Sequence, residues 1–167
     1  MKRIILTAVC ISIALILQAQ NNPVDEIFQK YSEKDGFTVV TISGKMFNMF
    51  SSLNEEKNAE GQVISKLNSI RILSVEDSLL NQKINFYSEL SKKLDFTVFE
   101  ELMVVKEGQN ITKFLIRQKG NVISELLVIT GGPGGNSLIS IQGNLDMKSL
   151  SEISRQIGIE ELDQMEK

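Results

Sequence analysis

The chain opens on an uncharged, largely apolar run, Ile4 to Leu17, and only afterwards does its hydrophobicity become periodic. Val24, Ile27, Phe28 and Tyr31 recur at the three-and-four spacing of one helical face. Asn22 supplies a cap, Pro23 suits the first helical position, and Asp25 and Glu26 favour the positive end of the dipole. Asp35-Gly36 ends this helix, and the β-branched stretch Phe37 to Ser43 reads as a strand. Gly44 to Phe50 turns into a short helix. Asn54 to Gly61 is a polar loop, Val63, Ile64 and Leu67 form a further helical turn, and Ile70 to Val75 is a second strand.

Leu80, Ile84, Tyr87 and Leu94 lie on one stripe with Leu90 beside it, which predicts a single long helix over Ser78 to Leu94. Asp77 or Ser78 caps it, and Lys92 and Lys93 suit its C-terminal end. Four strands follow: Phe99–Lys106, Ile111–Gln118, Val122–Thr130 and Leu138–Gln142. Short glycine-containing breaks separate them, as in an antiparallel meander. Asp146 caps a last helix whose inward face is Met147, Leu150, Ile153 and Ile157, and Gly158 ends it. The predicted class is α+β: a mainly antiparallel sheet with a C-terminal four-strand meander, covered on one face by helices. The consecutive apolar residues Leu126-Leu127-Val128-Ile129 point to cover over part of the second face as well, supplied by a partner.

The leading apolar run changes the picture of where this domain works. Lys2 and Arg3 precede it and Gln18-Ala19-Gln20 break it, the pattern of a signal peptide over residues 1–20 with cleavage near Ala19 or Gln20. An uncleaved anchor is the competing reading, but a spanning helix needs roughly 20 apolar residues and this run is shorter. That leaves one α+β domain at 21–160, an acidic tail at 161–167, and no stable membrane anchor, in the periplasm or outside the cell. The one cysteine, Cys10, lies inside the leader, and the 167-residue chain has no histidine. The mature domain therefore has no thiolate, no disulfide and none of the usual general bases or commonest metal ligands. Losing Lys2 and Arg3 makes the net charge of −3 more acidic still. With no basic stripe, nucleic acid is excluded as a partner.

Six phrases occur in order: Phe28-x-x-Tyr31, Gly36-Phe37-Thr38-Val39-Val40-Thr41-Ile42-Ser43, Met46-Phe47, Glu100-Glu101-Leu102-Met103, Ile123-Ser124-Glu125-Leu126 and Ile139-Ser140-Ile141-x-Gly143. In that order they resemble a family of short exported bacterial proteins, mostly from Bacteroidota, known as domain of unknown function 4252. The resemblance implies export and a bacterial source. It brings no activity, no cofactor and no catalytic residues.

Candidate sites are few. Gly131-Gly132-Pro133-Gly134-Gly135 has the glycine density of a phosphate loop, but no Lys follows and the next segment reads as a strand. It reads instead as a flexible hairpin loop, or as a partner-contact loop. Glu100, Glu101 and Glu125 sit in strands and raise the possibility of paired-carboxylate chemistry on glycans. Glu100 and Glu101 would point to opposite faces, and pairing with Lys113 or Arg117 is the plainer role. Met46, Phe47, Met49 and Phe50 read as core at helical spacing, or as an adaptable docking surface. Ser43 and Ser124 have no histidine to activate them. Asp77-Ser78-Leu79 matches an O-glycosylation acceptor as well as a helix cap, while Asn110-Ile111-Thr112 matches an N-glycan pattern that is uninformative in a bacterium. No cofactor is implied. The leading expectation is a non-enzymatic envelope module that binds a protein partner or assists envelope-stress signalling. The alternatives are a carrier with an apolar cavity of several hundred Å³ and a carboxylate-based glycan-active enzyme.

Overall fold

The computed structural model describes residues 22–53 and 63–157. Residues 1–20, read above as a signal peptide, the segment 54–61 read as a polar loop, Gly158 and the acidic tail lie outside the described residues, as does the side chain of Ile157. The elements are α1 (Pro23–Tyr31), β1 (Phe37–Ser43), α2 (Gly44–Leu53), β2 (Leu67–Val75), α3 (Ser78–Asn81), α4 (Phe86–Leu90), a 3₁₀ turn (Phe96–Val98), β3 (Glu100–Glu107), β4 (Asn110–Lys119), β5 (Val122–Gly131), β6 (Ser137–Leu145) and α5 (Met147–Ile157).

The six strands form one sheet in the order β1-β2-β6-β5-β4-β3, with every neighbouring pair antiparallel. The expected α+β class and the β3–β6 meander are present. The expectation that helices cover one face is corrected: they cover both. Along β5 successive side chains alternate, so Leu126 and Val128 enter one core while Leu127 and Ile129 enter another. The first core takes Phe47 from α2 and Leu150 and Ile153 from α5. The second takes Val24, Ile27, Phe28 and Tyr31 from α1 and Phe86 and Leu90 from α4. The cover over the second face thus comes from this chain's own helices α1 and α4.

Caps set several boundaries. Asn22 Oδ1 accepts the Val24 N–H at 3.1 Å at the start of α1. Asp146 Oδ1 accepts from Ser149 N at 2.8 Å at the start of α5. The long helix expected over Ser78 to Leu94 is instead two short ones. Asn85 adopts an extended backbone between them and its Oδ1 accepts the Ser88 N–H at 2.7 Å, restarting the helix as α4. Phe86, off the expected stripe, is fully buried, as is Leu90, and Met147, expected inward on α5, is half exposed. Exposed ion pairs tie α1 to its neighbours: Asp25–Arg71 at 2.6 Å, Glu26–Lys93 at 2.5 Å and Lys30–Glu89 at 2.5 Å. Each contributes at most about 1 kcal/mol.

Candidate functional site

Register places the sequence-predicted acids. Glu100 lies opposite Ile116, whose side chain is in the first core, and Glu101 opposite Leu115, in the second. The two therefore face opposite sides of the sheet, as alternation requires. Glu100 accepts from Gln118 Nε2 at 2.5 Å, and Glu101 pairs with Lys113 Nζ at 2.6 Å. The hydrogen bond to Glu101 holds the Lys113 ammonium above its ordinary pKa against the opposing effect of burial.

Glu125 is a different kind of acid, only 3% exposed. Cross-strand register lines up Arg117 on β4, Glu125 on β5, Gln142 on β6 and Ser69 on β2. Glu125 Oε1 accepts from Ser140 Oγ at 2.9 Å and Gln142 Nε2 at 3.4 Å, and Oε2 meets Arg117 Nη2 at 3.4 Å. Ser69 Oγ donates to Gln142 Oε1 at 3.5 Å, completing a polar row across four strands. The Arg117 guanidinium also stacks over Phe99 at 4.6 Å, and its buried Nε has no hydrogen-bond partner. Glu101 and Glu125 share a face but stand two strands apart, roughly 10 Å across the sheet. Each already carries a cation. The arrangement anchors a buried charge; it does not present two free carboxylates to a glycosidic bond. Beside Arg117 lies an open cleft of about 800 Å³, lined also by Glu26, Lys93, Leu94, Asp95 and Val98. Its walls mix charged and apolar side chains, and it opens at the surface, unlike the apolar cavity between sheet and helices expected of a lipid carrier.

The glycine-rich loop has an internal reason for its composition. A Cβ at Gly131 would come within 2.7 Å of Tyr87 N and press on Asn85 Oδ1, and Gly132 holds a φ of +153°. Asn110 Oδ1 accepts from Gly134 N at 2.8 Å. Asn136, 3% exposed, binds the loop to the α3–α4 break. Its Oδ1 accepts the Phe86 N–H at 2.9 Å; its Nδ2 donates to Gly132 O at 2.9 Å and Ile84 O at 3.0 Å. Pro133 and Gly134 form the exposed part of the loop, and Gly135 is half-buried. Of the serines, Ser43 and Ser78 are exposed, and Ser124 Oγ donates to Arg117 O at 3.0 Å. Asp77 Oδ1 caps α3 through Leu79 N at 2.7 Å, so Ser78 sits at an accessible helix start.

The feature that sequence reading passed over is the outer edge of β1. Both β1 and β3 are sheet edges. β3 carries Glu100, Glu101, Lys106 and Glu107 and an irregularity between Glu101 and Met103, devices that discourage strand addition. β1, Phe-Thr-Val-Val-Thr-Ile-Ser, has no charge, no proline and an unbroken register to β2. α2 starts directly at its end. The core expectation for α2 holds for Phe47 alone: Met46, Met49 and Phe50 are exposed, as is Val40 on β1. The signal was present in the absence of any charged residue between Gly36 and Lys45.

These features define a small α+β protein whose sheet is covered on both faces by its own helices and, among the described residues, left uncovered along the charge-free β1 edge. Among the described residues no three acids gather as metal ligands, and no helix is long and apolar enough to cross a membrane. A family model matches residues 31–153, and the chain belongs to that family, described as a domain of unknown function (DUF4252). No curated protein and no solved structure matches the chain.

Proposed function

We propose that this chain is an exported, non-enzymatic module of the cell envelope that binds a protein partner through β1 and α2. The observation that carries the reading is the charge-free β1 edge, with Val40 exposed on it and Met46, Met49 and Phe50 exposed on the adjoining α2. An edge strand offers a row of backbone donors and acceptors for an added strand, and Met-rich surface adapts to varied partners. The basic-then-apolar pattern of residues 1–20 supports export to the periplasm or beyond. Pro133 and Gly134 are a secondary contact surface, and Ser78 is the O-glycosylation candidate.

The test is crosslinking of the tagged full chain in intact cells, followed by capture and mass spectrometry. A specific, saturable protein partner, lost on Val40→Asp and on Met49→Asp, is expected. Capture that ignores both substitutions would remove the β1–α2 reading. Cell fractionation and N-terminal sequencing test export, with a mature start near Gln20 or Asn21 expected. Intact mass of the native protein tests modification at Ser78.

A further inference from the structure

The protein-binding reading leaves the partner open, and the chemistry at the two ends of β1 narrows it. The strand is preceded by Asp35 and followed by Lys45, each five residues from its central Val40. Both are exposed, and neither takes part in an ion pair among the described residues. Resting on the protein-binding reading, we infer that the occupant of the β1 edge is a second copy of this chain, paired antiparallel about Val40.

In that arrangement Val40 meets Val40 of the second copy, Val39 meets Thr41, Thr38 meets Ile42 and Phe37 meets Ser43. No charge faces a like charge, since β1 has none. Just beyond the paired strands, Asp35 in the turn before β1 of one copy comes near Lys45 in the first turn of α2 of the other, two complementary approaches related by the two-fold axis. Parallel pairing would instead set Asp35 against Asp35 and Lys45 against Lys45, a direct penalty. β-Branched residues pairing across strands favour the same geometry. The result is a continuous twelve-strand sheet, and β1 ceases to be an edge. The isologous contact closes on itself, so it stops at a dimer. The seven strand residues, Val40 among them, plus the exposed Met46, Met49 and Phe50 bury on the order of 1,000 Å² in all, at the lower limit of a specific interface. A dimer in reversible equilibrium with monomer follows.

The experiment is sedimentation velocity of the protein produced from the full chain, over a micromolar to submillimolar range. A monomer–dimer equilibrium is expected. V40K sets two ammonium groups against each other at the axis and should weaken it by about tenfold or more. D35K and K45D, both on exposed positions that do not threaten the fold, should each weaken it by about fivefold. The double variant D35K/K45D should restore it, an outcome that a general loss of stability cannot mimic. Monomer at every concentration, or a dimer indifferent to all of these changes, would overturn the inference. A photo-crosslinker at position 40, in cells carrying two differently tagged copies, separates the two levels. Crosslinks between the tags support self-pairing. Crosslinks only to other proteins overturn self-pairing but leave the protein-binding reading standing, and no crosslink to any protein overturns both.

Discussion

Replacing Asn136 with alanine removes the side chain that holds the glycine-rich loop, the α3–α4 break and β6 together. Its Oδ1 is the acceptor for the buried Phe86 N–H, and its Nδ2 donates to Gly132 O and Ile84 O and reaches Asn81 Oδ1 at 3.1 Å. Leaving a buried amide donor without a partner costs about 1–3 kcal/mol, and the lost donors to carbonyls add about 0.5–1.5 kcal/mol each where no water replaces them. Asn136 is 3% exposed, so water has little access, and the total comes to about 3–4 kcal/mol. For a chain of this size that lowers Tm by roughly 10 °C. Urea unfolding followed by circular dichroism should show the midpoint falling with an unchanged slope, since the native fold is retained. Asn136→Asp keeps the acceptor for Phe86 but turns a carboxylate oxygen toward carbonyls, and should be at least as damaging at neutral pH. A loss below about 1 kcal/mol for Asn136→Ala would refute the reasoning.

The polar row on β4–β6 predicts an asymmetry: Arg117→Ala strands the buried Glu125 carboxylate and should cost about 3 kcal/mol, whereas Glu125→Gln frees a half-exposed arginine and should cost about 1 kcal/mol; equal losses by urea denaturation would count against it. The Asp146 carboxyl is held far below its usual range, first by Lys66 at 2.9 Å and then by Ser149 N–H and Oγ. A depressed folded value means that its stabilisation is present above the unfolded value near pH 4 and is lost as pH falls through the folded one. Asp146→Asn should therefore flatten the acid limb of stability below about pH 4, read from urea midpoints at several pH values. Gly131→Ala drives a methyl group against the start of α4 and should destabilise by about 1–3 kcal/mol, while the same change at the unobstructed Gly135 should be nearly neutral in thermal melts.

Much of this fold was legible from periodicity. The strand Phe37–Ser43, the face Val24-Ile27-Phe28-Tyr31 and the β3–β6 order follow directly from residue spacing and turn glycines. The long helix misread at Ser78–Leu94 failed because its break depends on Asn136, some fifty residues away. That side chain occupies Ile84 O and the Phe86 N–H, groups a continuous helix would use itself. Cover on the second face was foreshadowed by Leu126 to Ile129, but which segment provides it is a matter of tertiary packing. The burial of Glu125 was equally out of reach, since it depends on which strands flank β5. The open edge went unread because it is marked by missing charges, and an absence stands out only once the sheet order shows which strand is outermost.

The strand order also sets a schedule for the growing chain. β3 to β6 join through tight hairpins, whereas Ile72 pairs with Ile139 and must wait for it during synthesis. Until β6 arrives, β1 and β2 have only each other, and an isolated pair of strands is marginal in water. Pairings so distant along the chain close slowly. The apolar N-terminal third is thus the last part to be secured, and a ribosome that releases the chain piecemeal prolongs its exposure. A chain halted before Ser137 would hold a strand pair with no sheet to join, and this is the stage at which a chaperone has most to protect.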